Sequence, residues 1–167
     1  MGSILEYKHL GKSGLKVSPL CLGTMLFGRE TPSQESQLII ESARNSGINF
    51  IDTADAYVGG DSERLVGRCI RTSRDHWVLA TKLANKMGQG PNKGGLSRKW
   101  VMQACEESLR RLRTDYIDIY YLHKEDHATP LRETIMAIGD LIKDGKIRYF
   151  GVPNYRSWRV AEICNIC

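Results

Sequence analysis

The stretch "NFIDTADAYVGGDSERLVG", residues 49–67, joins an apolar run to an acidic residue, a tyrosine and a helical pattern. The apolar run predicts a buried strand that ends at Asp52, and residues 61–71 predict the helix that follows it. Tyr57 lies between the two elements, five positions after Asp52. The stretch therefore predicts a strand–helix unit with a carboxylate and a phenol at the carboxyl end of the strand.

The length and composition of the chain are those of one domain. Its 167 residues and 41% hydrophobic content suffice for a proper core, so we treat residues 1–167 as a single domain. No window approaches the roughly 18 apolar residues of a membrane span, and "MGSILEYKHL" at the start lacks the layout of a signal peptide. Five cysteines, an odd number, favour reduced thiols over a disulfide scaffold. We therefore expect a soluble cytoplasmic protein.

The net charge of +5 is compatible with nucleic acid or an anionic small molecule as partner. The densest basic cluster, Arg110, Arg111 and Arg113, lies on a predicted helix over residues 97–113 that also carries Glu106 and Glu107. This mixture predicts a solvated helix face, so no nucleic-acid partner is expected. The same helix carries a predicted buried stripe at helical spacing: Leu96, Val101, Ala104, Cys105, Ser108, Leu109 and Leu112.

Strand and helix patterns alternate from residue 19 onward, which is typical of parallel βαβ units. Thr31 and Thr129 each precede a proline, which predicts two helices that begin with a threonine cap. Gly47 and Gly145 predict where these helices end. Five strands do not distinguish an open sheet from part of a barrel. The predicted strands are "PLCLG", "INFID", "HWVLATK", "YIDIYYLH" and "IRYFGV", preceded by a β-hairpin in "EYKHLGKSGLKVS".

Polar side chains follow the ends of four predicted strands: Asp52 and Tyr57, then Lys82, His123 and Asn154. The carboxyl ends of parallel strands meet at one edge of a sheet, so we expect these residues to converge there. Each of them alone has an ordinary structural interpretation, such as a loop-closing carboxylate or a solvated strand end. Their occurrence together at one edge favours a chemical site.

The residue types at this edge suit proton donation. A phenol is a poor acid at neutral pH because its ordinary pKa is about 10, and a neighbouring ammonium group makes proton donation easier. Lys82 would supply that ammonium group, and Asp52 would supply the counter-ion that a buried ammonium needs. His123 would share the hydrogen bond to the substrate oxygen. The four side chains would then hand a proton to an oxygen that gains negative charge.

Several segments resemble successive signature segments of the aldo-keto reductases, and they cover nearly the whole chain. The chain is most similar to the bacterial and plant reductases related to potassium-channel β subunits. This resemblance implies an α/β fold of the TIM (β/α)8 barrel family, of which the chain would hold the first five βα units. The segments are "GLKVSPLCLGTMLFG", "FIDTADAYVGGDSE", "LATKL", "YIDIYYLHKED" and "TPLRETIMAIGDLIKDGKIRYFGVPNY".

The resemblance also implies a function, which is the NADPH-dependent reduction of aldehydes or ketones as small-molecule substrates. The family's four catalytic positions carry over to Asp52, Tyr57, Lys82 and His123, with Tyr57 as the general acid. Two alternatives are a regulatory or interaction protein like the channel β subunits and a truncated barrel without turnover. The cofactor-binding positions carry over to Gly23, Thr24, Met25, Asp52 and Asn154.

The sequence departs from the family pattern in two ways. Pro153 stands where members usually have serine, which removes a hydroxyl and a backbone donor and predicts weaker cofactor contacts. A complete barrel needs about 250 residues, so strands six to eight are expected to be missing. The sheet would then have two unpaired edges and an uncovered apolar face, through which the chain could self-associate.

Three further patterns receive ordinary interpretations. The glycine-rich "GQGPNKGG", residues 88–95, predicts a flexible loop, with a role in substrate access as the alternative. Cys164 and Cys167 are interpreted as two thiols on a helix face. His9, His76 and His127 lack the spacing of metal ligands, so we expect no metal site.

Overall fold

The computed structural model describes residues 5–167 of the chain. Residues 1–4 begin the segment "MGSILEYKHL", which lacks the layout of a signal peptide, and they lie outside the described residues. The predicted hairpin is present: β1 (Lys8–His9) pairs antiparallel with β2 (Lys16–Val17).

Five parallel strands form the main sheet, in the order β3-β4-β5-β6-β7. They are β3 (Cys21–Gly23), β4 (Phe50–Asp52), β5 (Val78–Leu83), β6 (Ile117–Leu122) and β7 (Ile147–Gly151). The helices are α1 (Ser33–Asn45), α2 (Asp61–Ile70), α3 (Arg98–Leu112), α4 (Leu131–Lys143) and α5 (Ser157–Ile166). Two short 3₁₀ helices, Tyr57–Gly60 and Arg71–His76, flank α2. The predicted order of strands and helices is confirmed.

The register of the sheet brings the carboxyl ends of its strands to one edge. Gly23 lies opposite Asp52, and Lys82 lies opposite Tyr121. The backbone N–H of His123 donates to the carbonyl oxygen of Leu83 at 2.9 Å, which extends the ladder beyond β6. Residues that follow different strands therefore end up beside one another.

The two faces of the sheet are covered differently. A large apolar cluster fills the space between the helices and one face, and it includes the side chains Val101, Ala104 and Cys105 of the predicted stripe on α3. A small cluster on the other face joins Val17 of the hairpin to Val78, Ala80 and Ile119 of the sheet. Because Val78 begins β5, the hairpin covers the amino-terminal end of that face.

The predicted threonine caps are wrong. Pro32 and Pro130 are the N-cap residues of α1 and α4, and neither helix has a side-chain cap. The carbonyl oxygen of Thr31 instead accepts from the backbone N–H of Gly28 at 2.9 Å. The hydroxyl of Thr129 donates to Asp126 at 2.8 Å. Both threonines are drawn into loop contacts that the local pattern does not contain.

The predicted solvated face of α3 is wrong for Arg111. Its side chain is only 10% exposed, and its Nε donates to the buried Glu63 of α2 at 2.5 Å. The two helices approach so closely that a Cβ atom at Gly67 would collide with the carbonyl oxygen of Leu112. This close crossing places Arg111 over Glu63 rather than in solvent.

Candidate active site

Lys82 is the centre of a cluster of polar side chains at the carboxyl edge of the sheet. Its ammonium group donates to the carboxylate of Asp52, to the carbonyl oxygen of Thr53 at 2.7 Å and to the hydroxyl of Tyr57 at 3.0 Å. The Lys82 side chain is 9% exposed. Three acceptors therefore satisfy all three N–H groups of a cation that is almost withdrawn from water.

The contact between Lys82 and Tyr57 determines the direction in which the Tyr57 hydroxyl can donate its hydrogen bond. An ammonium group only donates hydrogen bonds, so the Tyr57 oxygen is the acceptor in this contact. The hydrogen of the Tyr57 hydroxyl is thus directed elsewhere. The arrangement leaves Tyr57 able to donate to a second group while Lys82 stabilises negative charge on its oxygen.

A left-handed turn returns the chain to Lys82 after β4. Val58, Gly59 and Gly60 have φ angles of 49°, 63° and 97°. Glycine adopts such angles at little cost, whereas a β-branched residue such as Val58 is strained there. The turn holds Tyr57 against the end of β5, and the strain at Val58 lies directly beside the candidate acid.

His123 shares the space beside Tyr57. The two rings meet edge to face, with centroids 6.0 Å apart and planes at 83°. Burial, and after it the positive charge of Lys82, lowers the pKa of His123, so the imidazole is neutral at neutral pH. The phenol and the imidazole therefore border the same space at the carboxyl edge of the sheet.

Asn85 determines the tautomer of His123, and sequence reasoning missed it. Its side-chain amide nitrogen lies 3.1 Å from Nδ1 of His123. An amide nitrogen donates, so Nδ1 accepts and the neutral ring carries its hydrogen on Nε2. Ala84, with a φ of 118°, turns the chain at the end of β5 to direct Asn85 toward the ring. An asparagine three residues after Lys82 was the available signal.

Burial raises the pKa of the Asp52 carboxyl group above its ordinary value, and the hydrogen bond from Lys82 opposes this rise. The Asp52 side chain is 23% exposed, so its carboxylate contacts Lys82 and also reaches the open carboxyl edge of the sheet. Asp52 is thus placed both to orient Lys82 and to face a ligand.

The predicted cofactor-binding residues lie at the two sides of the cluster. Thr24 is buried, and its hydroxyl contacts the carbonyl oxygen of Asp52 at 3.0 Å and the hydroxyl of Ser62 at 2.9 Å. Met25 is 58% exposed beside it, and the space next to Gly23 is open. The backbone N–H of Thr24 donates to Asp52 and its carbonyl oxygen accepts from Ser62, so Thr24 is engaged within the fold, while Gly23 and Met25 present an open surface.

Asn154 lies on the opposite side, after β7. Its amide nitrogen donates to the carbonyl oxygen of His123 at 3.0 Å, and its φ of 61° places it in a left-handed turn directly after Pro153. The exposed side chain keeps its carbonyl oxygen and a second N–H group for another partner. Such a donor and acceptor pair fits the carboxamide of a nicotinamide ring.

A cleft of about 580 Å³ opens between the loops that follow β5 and β6. Ala84 and Lys124, the neighbours of Asn85 and His123, line it together with the glycine-rich segment. Asp52, Tyr57, Lys82 and His123 themselves do not line it. The cleft therefore adjoins the cluster rather than containing it.

Two kinds of feature are absent from residues 5–167. No helix in this part of the chain is long and apolar enough to cross a membrane. No group of three histidine, cysteine or acidic side chains there is arranged to hold a metal ion.

Comparison with known proteins identifies the family of the chain. Residues 19–165 match the Aldo/keto reductase family. The chain is 38% identical over 162 residues to a probable voltage-gated potassium channel subunit beta of Arabidopsis thaliana, covering 95% of this chain and 49% of that protein. It is 39% identical over 182 residues to norsolorinic acid reductase of Aspergillus flavus, covering 98% of this chain and 46% of that protein.

A solved structure, aldo-keto reductase AKR11C1 from Bacillus halodurans in its holo form, matches with a TM-score of 0.87 and 37% identity. The match covers 96% of this chain and 54% of that one. The chain spans about half the length of the curated relatives it matches. The predicted α/β fold is thus confirmed as part of a TIM barrel, and the chain belongs to the Aldo/keto reductase family.

Proposed function

We propose that the chain carries the catalytic cluster of an oxidoreductase that uses NADPH to reduce aldehydes or ketones to alcohols. One observation supports this most directly, which is the contact of the Lys82 ammonium group with both Asp52 and the hydroxyl of Tyr57. Membership of the family and the similarity to a reductase from Aspergillus flavus support the reaction class.

Tyr57 is the general acid in this proposal. The substrate oxygen lies between the Tyr57 hydroxyl and Nε2 of His123, and both groups donate hydrogen bonds to it. As the substrate is reduced, the oxygen gains negative charge and takes the proton of Tyr57. Lys82 stabilises the charge that develops on the phenol oxygen, and Asp52 holds Lys82 in place.

Gly23, Thr24, Met25, Asp52 and Asn154 would hold the nicotinamide end of NADPH, which supplies the hydride when it is bound. The open surface at Gly23 and the free amide atoms of Asn154 support this assignment. Pro153 provides neither a hydroxyl nor a backbone N–H beside Asn154, so we propose that this part of the cofactor is held weakly. The cleft beside Asn85 would admit the substrate.

A second candidate function follows from the similarity to a probable potassium channel subunit beta. In that case the chain would keep its cofactor site and act through contact with another protein. The occurrence of all four polar side chains in one cluster favours the enzyme, because a purely structural role requires no ordered proton donor.

The test combines cofactor binding with turnover. NADPH is titrated into the folded chain while the nicotinamide fluorescence is followed, and binding is expected. Tyr57→Phe should abolish reduction of an aldehyde such as benzaldehyde and leave NADPH affinity nearly unchanged, because it removes only the donated proton. Tyr116 precedes β6 and lies at the amino-terminal ends of the strands. Tyr116→Phe is therefore the matched control and should keep wild-type activity.

Two results would contradict the proposal. If the folded chain fails to bind NADPH, the remaining interpretation is that the chain is part of a barrel and has no turnover of its own. Equal aldehyde reduction by wild type and Tyr57→Phe would refute the assigned acid.

A further inference from the structure

A buried carboxyl group behind the candidate active site has no hydrogen-bond partner. Asp55 is fully buried, and neither of its carboxyl oxygens has a partner within residues 5–167. Its backbone N–H donates to the carbonyl oxygen of Lys82 at 3.1 Å. Leaving a buried polar group unpaired costs about 1–3 kcal/mol, so this carboxyl group needs a physical explanation.

The groups around Asp55 come from four elements. Glu63 of α2 is fully buried, and its two oxygens accept from the Thr81 hydroxyl at 2.6 Å and from Arg111 of α3 at 2.5 Å. Tyr120 of β6 adds a buried hydroxyl that also lacks a partner in the described part of the chain. Lys82 of β5 is joined to Asp55 through its backbone carbonyl oxygen, and its positive charge acts on the Asp55 carboxyl group. Two carboxyl groups thus face one guanidinium group and the lysine.

The pairing of Arg111 determines what Asp55 can do. Because Arg111 is engaged by Glu63, an ionised Asp55 has no cation of its own. Burial first, and then the charge of Glu63, raise the pKa of Asp55 to about 7, while Arg111, the nearby backbone N–H of Ala56 and then Lys82 oppose the rise. The charge of Asp55 therefore changes near neutral pH, and the cations that it acts on are Arg111 and, at the candidate active site, Lys82.

We propose that Asp55 is a positioning residue for Lys82, acting from the helix-covered side of the sheet. Its backbone holds the carboxyl end of β5, and the charge on its side chain adjusts the field that Lys82 exerts on Tyr57. An ionised Asp55 partly neutralises this field, so Tyr57 gives up its proton less readily. A protonated Asp55 leaves the field intact. This inference rests on the proposed role of Lys82 and Tyr57.

Carbon NMR across the neutral pH range tests the proposal without cofactor or substrate. The Asp55 carboxyl carbon is expected to titrate near pH 7, with an inflection at the same pH in the Lys82 and Tyr57 side-chain signals. Asp55→Asn should remove that inflection from both. Glu63→Gln should move the Asp55 midpoint and the Tyr57 inflection together toward lower pH, because it removes a neighbouring negative charge.

Asp61→Asn is the matched control, because Asp61 is exposed on α2 and its carboxylate forms an ion pair with Arg64. It should leave the inflection of Tyr57 in place. Persistence of the inflection in Asp55→Asn would overturn the proposal, as would a wild-type Asp55 that titrates in its ordinary acidic range. If neither variant folds, the wild type decides, because the midpoint of the Asp55 signal must then coincide with the inflections in the Lys82 and Tyr57 signals. Loss of carbonyl reduction with this coupling intact would contradict the proposed function alone.

Discussion

Lys82 and Asp55 show how single charged residues are accommodated at the carboxyl edge of the sheet. The ammonium group of Lys82 is nearly buried but has three acceptors. The carboxyl group of Asp55 is fully buried, and its oxygens have no hydrogen-bond partner within residues 5–167. A satisfied buried cation keeps its charge, while an unsatisfied buried carboxyl group binds a proton more tightly. Burial therefore changes the titration of Asp55, which is hydrogen-bonded to Lys82 through the backbone.

Asp55 should make the stability of the chain depend on pH. Its pKa rises from 3.8 to about 7 on folding, so between these values the folded chain holds a proton that the unfolded chain has lost. The free energy of unfolding should therefore fall as the pH rises through this interval and level off above it. The total fall from this group is at most roughly 4 kcal/mol.

Urea unfolding of wild type and Asp55→Asn at several pH values across the interval measures this effect. The free energy of unfolding of Asp55→Asn should lack the pH-dependent decrease that Asp55 causes, because an amide does not titrate. Asp61→Asn, which alters an exposed carboxylate, should retain the wild-type slope. A slope shared by wild type and Asp55→Asn would show that the Asp55 carboxyl group is not the source.

At the scale of elements, the crossing of α2 and α3 positions the buried charges. Leu65, Val66 and Ile70 of α2 are buried in the cluster that also holds the apolar stripe of α3. Gly67 allows the two helices to touch through their backbones. This short distance enables Arg111 to reach Glu63, so the packing of two helices determines the charges behind the candidate active site.

Gly67→Ala should destabilise the chain strongly. The added Cβ would collide with the backbone of Leu112, which cannot rotate away, so the helices must separate. We expect a loss of about 1–3 kcal/mol or more in the free energy of unfolding. Urea or thermal unfolding measures it.

Gly139→Ala is the matched control because Gly139 also lies inside an α-helix, α4, but has open space around it. Alanine is favoured over glycine there by about 1 kcal/mol, so this variant should be slightly more stable than wild type. Similar effects of the two substitutions would contradict the inferred close crossing.

For the whole molecule, the outer strands of the sheet are the exposed feature. β3 and β7 lie at its two edges, and the matched solved structure is about twice as long as the aligned chain. Unpaired strand edges and apolar surface favour association with another chain. Several large apolar side chains near these strands are exposed: Leu20, Met25, Leu26 and Tyr149.

We predict that the chain self-associates through these edges. Sedimentation velocity at increasing protein concentration should show a growing fraction of dimer or larger species. Leu20→Lys, directly before β3, and Tyr149→Lys, on β7, should shift the population toward monomer. Met136→Lys is the control, because Met136 has the same exposed fraction as Leu20, 58%, but lies on helix α4 beside Arg98 of α3 and not on an edge strand. A chain that is monomeric at all concentrations would contradict the prediction.

The sequence alone determined the order of strands and helices and the edge at which the polar residues meet. The apolar runs and the glycines at helix ends are local signals, and the parallel arrangement brings every strand end to one edge. The prediction that Asp52, Tyr57, Lys82 and His123 converge therefore required no tertiary contact. Their catalytic roles stay predictions.

Only the tertiary structure decided which polar side chains are buried and what each of them contacts. Arg111 appeared solvated because its neighbours on α3 are charged, yet α2 covers it and supplies Glu63. Asn85 lies only three residues after Lys82, but its partner is 38 positions away. The surroundings of Asp55 come from four elements. The local sequence therefore shows neither set of contacts. Burial and charge pairing depend on residues distant in sequence, and a pattern of neighbours along the chain contains no information about them.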